Sequence, residues 1–148
     1  MQKLHFSIQI NAPKEKVWDT MLNKETYEQW TTAFGHPGSY EGDWNEGSDI
    51  NFLAPNEKGT MDGMLSHVKE NRLYEFLSLE HQGVMIDGKE STDNDWAGAL
   101  ENYTFTEKDG GTEVTVDIDV DDEMVEEFQT AWPLALQKLK ELSEKSSS

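Results

Sequence analysis

Residues 112–144 read TEVTVDIDVDDEMVEEFQTAWPLALQKLKELSE. The first part alternates apolar and polar residues, and its apolar members are Val114, Val116, Ile118 and Val120. This period of two predicts a strand in a sheet that exposes one face to water. The second part predicts a helix over about 123–144, capped by Asp121 or Asp122. A strand therefore runs almost directly into the longest predicted helix of the chain.

The predicted helix carries one continuous apolar face. Residues at spacings of three and four form it, and these are Val125, Phe128, Trp132, Leu136 and Leu139, flanked by Met124, Ala135 and Leu142. A stripe of this width has to be buried against another layer. Pro133 lies inside the helix, where it removes one backbone donor, and we expect a bend near Gln129.

The rest of the chain predicts the layer that covers this face. Residues 4–10 alternate as a strand, and two short helices follow, the first beginning at Pro13 and the second capped by Asn23. Further strands are predicted at 48–54, 60–69, 73–82, 96–107 and 112–120, with hairpin turns at 57–59, 70–72 and 108–111. The glycine-rich stretch 35–47 predicts a loop, and the polar stretch 83–95 predicts an exposed, mobile one.

This order predicts an α+β fold of the helix-grip type. A curved antiparallel sheet would wrap around the long C-terminal helix, with two short helices after the first strand, because no other element is large enough to cover the sheet. The 148 residues contain no repeat and no linker. We therefore expect a single domain over 1–145 and a disordered tail at 146–148.

Composition narrows the possible partners. The formal net charge is −18, from 30 acidic and 12 basic residues, so the surface repels phosphate backbones and anionic lipids, and we expect neither nucleic acid nor membrane as a partner. The absence of cysteine excludes disulfides and thiolate chemistry. No apolar run reaches the roughly 18 residues of a membrane span, and the first residues lack a signal peptide's apolar core. We expect a cytoplasmic protein.

Several short segments together resemble a known family. They are INAPKEKVW at 10–18, EQW at 28–30, GML at 63–65, ENRL at 70–73, YTF at 103–105, GGTEV at 110–114 and WP at 132–133. In this order they resemble the START-like (SRPBCC) superfamily, and most closely its branch of activator-of-heat-shock-protein-ATPase homologues. The resemblance implies the helix-grip fold. It leaves function open, since the superfamily includes carriers, enzymes and interaction modules.

No motif for catalysis or metal binding is recognisable. The histidines at 5, 36, 67 and 81 lack the spacing of a ligand set, and the calcium-like start at 93–98 lacks its final glutamate. We therefore expect no metal, no cofactor and no catalytic residue. A protein without enzymatic activity is the simpler interpretation. Three strand acids, Glu75, Glu80 and Glu101, could point into a pocket, although such acids more often face solvent.

The aromatic residues predict a cavity between sheet and helix. The candidate lining residues are Trp30, Phe34, Trp44, Phe52, Met64, Phe76, Tyr103, Phe128 and Trp132. The leading hypothesis is a monomer or weak homodimer that binds a small apolar or amphipathic ligand there. One alternative is a chaperone-associated interaction domain with a vestigial pocket. Another is an enzyme of cyclase, aromatase or hydrolase type that uses polar pocket residues.

Overall fold

The computed structural model describes residues 2–34, 39–55, 58–87, 89–91, 98–120, 122 and 125–145, without the side chains of 34, 54, 55, 90 and 91. The predicted tail at 146–148 and most of the calcium-like segment at 93–98 lie outside the described residues. The predicted extent of the domain stays a prediction.

The described elements form one antiparallel sheet and three α-helices. In chain order they are β1 (Gln2–Ile10), α1 (Lys14–Leu22), α2 (Lys24–Trp30), a 3₁₀ segment (Thr31–Phe34), β2 (Ser39–Gly42), β3 (Asp49–Pro55), β4 (Met61–Arg72), β5 (Phe76–Ile86), β6 (Lys89–Ser91), β7 (Leu100–Lys108), β8 (Gly111–Val120) and α3 (Val125–Glu144). The strand order is β1-β8-β7-β5-β4-β3-β2, and β6 pairs with the far end of β5. Within this described part, no helix is long and apolar enough to cross a membrane.

Helix α3 is held by the sheet and the short helices. Its buried residues are Ala131, Trp132, Ala135, Leu136, Leu139 and Ser143. The Trp132 ring stacks on Phe6 of β1 with centroids 6.3 Å apart, and lies 6.1 Å from Tyr103 of β7. The predicted helix-grip fold is confirmed. Pro133 lies within the helix and is exposed, while the predicted bend near Gln129 stays a prediction.

Local signals explain several element boundaries. The Asn23 side chain accepts a hydrogen bond from the backbone N–H of Glu25 at 3.0 Å, which confirms the predicted N-cap of α2. Asp109 and Gly110 adopt φ angles of 52° and 80° between β7 and β8. Positive φ at both central residues is the geometry of a two-residue hairpin, so this predicted turn is also confirmed.

Two predicted loops are partly strands. Residues Ser39–Gly42 form β2, in which Tyr40 pairs with Phe52 of β3. Strand β5 continues to Ile86 and then pairs with β6, where Val84 lies opposite Ser91. The paired segments are short, and β2 and β6 are polar, so their backbone pairing leaves little apolar period in the sequence.

The predicted turn at 70–72 is three residues too early. Strand β4 runs to Arg72, and the turn lies at 73–75, where Tyr74 adopts a φ of 65°. A bulge between Val68 and Glu70 shifts the register with β5. A bulge adds one unpaired residue to a strand, and this displaces the strand end from where alternation alone predicts it.

The end of α3 is tied to the β1–α1 connection by one carboxylate. Glu144 Oε2 accepts the backbone N–H of Asn11 at 2.8 Å and also bonds the Lys140 ammonium. The bond from Lys140, and then the one from Asn11, hold the pKa of Glu144 below its ordinary value. The ionised form is therefore favoured by folding.

Glu144→Gln is expected to lower the free energy of unfolding at pH 7 by less than about 1 kcal/mol, because solvent screens this exposed pair. A lowered folded-state pKa stabilises the protein above the ordinary carboxyl pKa of about 4.3, and this contribution is lost as the pH falls through the lower value. Urea unfolding at a series of pH values should show the variant and wild type converging in acid. The control is Glu141→Gln, an exposed neighbour in the same helix. A Glu144→Gln difference that grows in acid would contradict the assignment.

Candidate functional site

A cavity of about 290 Å³ lies between the concave face of the sheet and the helices. Its volume is near the lower end of the roughly 300–1,000 Å³ usual for small-molecule sites. The lining residues are Met21, Leu22, Tyr27, Trp30, Thr31, Ser39, Trp44, Phe52, Leu53, Asp62, Gly63, Met64, His81, Glu101, Tyr103, Glu127, Phe128 and Trp132. Residues of α1, α2, strands β2–β5 and β7 therefore meet the first turns of α3 around one space.

Seven of the residues that line the cavity carry aromatic rings. Tyr27 of α2 meets Trp30 edge-on with centroids 5.3 Å apart, and lies 6.2 Å from Phe52. Trp30 in turn lies 6.0 Å from Trp132 of α3. On the other side, Trp44 lies 5.7 Å from Phe52. Edge-to-face and tilted pairs at these distances pack favourably, so the wall is held in shape by its own ring contacts.

The indole of Trp44 contributes an unused donor to this region. Its Nε1 is buried and has no hydrogen-bond partner among the described residues. A buried donor without a partner costs stability.

A buried polar chain crosses the sheet from β4 to β7. Ser66 Oγ lies 2.7 Å from His81 Nδ1, and His81 Nε2 lies 3.1 Å from Glu101 Oε1. The hydroxyl of Tyr103 donates to Glu101 Oε2. Ser66 and His81 are 1% and 5% exposed, whereas the Glu101 side chain is 20% exposed. The chain begins in the core and ends in a carboxylate that lines the cavity.

The order of donors and acceptors along these hydrogen bonds bears on whether Ser66 could act in catalysis. A carboxylate only accepts hydrogen bonds, so His81 Nε2 carries the hydrogen of the bond to Glu101, and the role of Nδ1 towards the Ser66 hydroxyl follows from the protonation of the ring. Serine, histidine and carboxylate are also the members of a nucleophilic triad, but a triad needs its hydroxyl on the substrate side. Ser66 does not line the cavity. The arrangement therefore orients Glu101 and does not present a nucleophile.

Carboxylates set the charge of the cavity. Asp62, Glu101 and Glu127 line it, and none of its described lining residues is Lys or Arg. Burial, and after it the Glu101 carboxylate and Tyr40, raise the pKa of Tyr27 well above its ordinary value. The Tyr27 hydroxyl therefore stays protonated at neutral pH, close enough to Glu101 to sense its charge.

No metal centre accompanies this polar chain. Among the residues that the structure describes, no group of three or more His, Asp or Glu side chains could hold an ion. The expected absence of metals and cofactors stays a prediction.

The fold agrees with one family. The family model described as Activator of Hsp90 ATPase homolog 1-like protein matches residues 11–144. The chain belongs to this family. The match covers both short helices, all strands after β1 and helix α3, and it confirms the resemblance seen in the sequence. No curated protein is similar enough in sequence to count as a relative.

Solved structures of similar fold include proteins from several bacteria. Protein MLL2253 from Mesorhizobium loti is 16% identical with a TM-score of 0.73, covering 99% of this chain and 100% of that one. The Aha1 dimer from Colwellia psychrerythraea is 18% identical with a TM-score of 0.71, covering 100% of both chains. Protein Ms6760 from Mycobacterium smegmatis is 16% identical with a TM-score of 0.68, covering 99% and 91%. At these identities the likeness shows the shared fold of the Activator of Hsp90 ATPase homolog 1-like family.

The structure brings most of the predicted lining residues together. Those that line the cavity are Trp30, Trp44, Phe52, Met64, Tyr103, Phe128 and Trp132. The side chain of Phe34 lies outside the described residues. Of the three strand acids, Glu101 lines the cavity, while Glu75 and Glu80 do not. Whether these residues bind a ligand stays a prediction.

Phe76 does not line the cavity. It pairs with Thr104, the neighbour of Tyr103, and successive residues of a strand point to opposite faces. Its ring instead packs against the Arg72 guanidinium, 4.9 Å from the ring centroid. The prediction for Phe76 considered only that the residue is aromatic, and not which face of β5 it occupies.

Sequence reasoning missed two important members of the site. Tyr27 lies three residues before Trp30, and that helical spacing could have placed both on one face. His81 lacks the sequence spacing of a metal-ligand set, and the structure shows it to be buried and hydrogen-bonded. Its approach to Glu101 depends on the pairing of β5 with β7, which no local pattern encodes.

Proposed function

We propose that the protein binds a small apolar or amphipathic ligand in the cavity between the sheet and α3. The cavity carries this proposal, because it combines aromatic walls with a hydrogen-bonded carboxylate, Glu101, at one side. Small-molecule sites have this composition, mostly apolar with few oriented polar groups. The ligand's apolar part would contact the rings of Trp30, Phe52 and Trp132. Its polar end would contact Glu101.

The alternatives have less support. A vestigial pocket in an interaction domain would be filled by its own side chains, whereas the space of about 290 Å³ is open to a small molecule. A hydrolase that acts through a serine nucleophile would need its hydroxyl at the cavity surface, and Ser66 is buried behind His81. Binding without covalent chemistry is therefore the simplest function for this arrangement.

Saturable binding of a neutral, environment-sensitive dye such as prodan is the expected result for the wild-type protein. Met64→Trp should weaken that binding by about tenfold or more, because the larger ring takes up volume in the cavity. Dye fluorescence titration measures the affinity, and the melting temperature of each variant shows that it is folded.

Phe76→Trp is the matched control, since it adds the same ring on the opposite face of the sheet. Its dye affinity should equal that of the wild type. Absence of saturable binding to the wild type would overturn the proposed function. Equal loss in the two variants would show that the dye binds elsewhere.

A further inference from the structure

We propose that the cavity selects ligands with a positive charge, and that Glu101 is the residue that binds the cationic group. The ligand class is an aromatic or apolar amine in its protonated, ammonium form. This inference rests on the proposed function and adds the chemistry of the ligand. Two independent features of the cavity support it, its charge and its ring wall.

The lining of the cavity contains several acidic residues. Glu101 and Glu127 line the cavity together with Asp62, whose Oδ1 accepts the backbone N–H of Asp87 at 2.9 Å. Lys and Arg are absent from the described lining, and His81, which bonds Glu101, is the one lining residue that could carry a positive charge. Carboxylates on a cavity wall favour a bound cation over a bound anion.

Glu101 has the position and the capacity for this role. Each of its oxygens accepts one hydrogen bond, from His81 and from Tyr103. A carboxylate offers about four acceptor sites, so Glu101 can accept further bonds from an ammonium group. Its two partners hold the carboxylate in one orientation, which reduces the entropy lost when the ligand binds.

The rings beside Glu101 add a second attraction. Tyr103 bonds Glu101 through its hydroxyl, and its ring lies 6.1 Å from that of Trp132. The faces of Tyr and Trp rings attract cations within about 6 Å, most strongly where water is excluded. Tyr103 turns its hydroxyl edge to Glu101, so the ring faces available to a cation in the cavity are those of other lining residues, such as Trp30 and Trp132.

The electrostatic field of the whole protein also favours cations. The net charge of −18 raises the local concentration of cations and lowers that of anions near the surface. This effect depends on salt and belongs to the whole protein, so an experiment has to separate it from the contribution of Glu101.

The test compares three ligands that share a naphthalene ring and differ in charge: 2-naphthylmethylamine, 2-naphthalenemethanol and 2-naphthoate. Isothermal titration calorimetry at pH 7 and physiological salt measures each affinity. We expect the amine to bind at least about tenfold more tightly than the alcohol, and the carboxylate to bind most weakly, because the amine alone forms a charged hydrogen bond.

Glu101→Gln should lower the amine affinity at least about tenfold and change the alcohol affinity less than about threefold. Glutamine keeps the shape of the side chain, and a change of the His81 tautomer restores its hydrogen bond. The matched control is Glu107→Gln, an exposed residue of the same strand that makes the same change in net charge. Its amine affinity should stay within about threefold of the wild type.

Each outcome separates the two proposals. Equal affinity for the three ligands, or tightest binding of the carboxylate, would overturn the cation proposal and leave the proposed function standing. Equal loss of amine binding in Glu101→Gln and Glu107→Gln would assign the preference to net charge and overturn the role of Glu101. If none of the three ligands nor prodan binds the wild type, both proposals fail. The wild-type series decides the charge preference even if Glu101→Gln does not fold.

Discussion

Trp132→Ala is expected to lower the free energy of unfolding by about 3–5 kcal/mol, the usual cost of truncating a buried aromatic residue. The side chain is 4% exposed. Its ring lies 6.3 Å from Phe6, 6.0 Å from Trp30 and 6.1 Å from Tyr103, so one residue joins β1, α2 and β7 to α3. Alanine would leave a void that merges with the existing cavity, and the surrounding elements cannot close it without moving.

Urea unfolding followed by circular dichroism measures this loss. Leu134→Ala is the matched control, because Leu134 lies on the same helix and is 59% exposed. Its effect should stay within about 0.5 kcal/mol. A loss below about 1 kcal/mol for Trp132→Ala would mean that α3 does not depend on this contact with the sheet.

Gly63→Ala is expected to lower the free energy of unfolding by about 1–3 kcal/mol, as overpacking does. A Cβ at this position would lie 1.8 Å from the backbone oxygen of Phe52 and 3.0 Å from the Cα of Leu53. Backbone atoms of β3 cannot rotate away as a side chain can, so β3 and β4 would have to separate. Gly63, Phe52 and Leu53 all line the cavity, and prodan binding should weaken together with stability.

Thr106→Ala serves as the control for this substitution. Thr106 is an exposed strand residue of β7, and its replacement should change the free energy of unfolding by no more than about 0.5 kcal/mol. Wild-type stability and dye affinity in Gly63→Ala would contradict the close approach of β3 and β4.

The architecture was predictable from hydrophobic period. In β8 the apolar residues Val114, Val116, Ile118 and Val120 are all buried, as alternation predicts. In α3 the residues at helical spacing, Trp132, Leu136 and Leu139, form the buried face. Period alone predicts these faces, because an apolar stripe on a helix and an apolar face on a strand each have to be buried away from water. The sequence predicts only one long helix and one sheet, so these two had to cover each other.

The candidate site was predictable only in part. Aromatic type was sufficient for Trp30 and Tyr103, which line the cavity, but it failed for Phe76, whose face depends on strand register. The glycine at position 63 marks a close contact with β3 that only the paired strands reveal.

The amino-acid sequence by itself determined the helix-grip fold, the aromatic character of the space under α3 and the negative charge of the molecule. Tertiary structure alone decided that Ser66, His81 and Glu101 form one chain. These residues lie on three different strands, and a bulge between Leu65 and Ser66 sets Ser66 opposite His81. Side-chain contact across strands depends on register, and a shift of one residue moves every side chain to the other face. The local sequence shows the hydrophobic period of each element but not the register between paired strands. For this reason the fold was predictable from the sequence, whereas the hydrogen-bonded chain of Ser66, His81 and Glu101 was not.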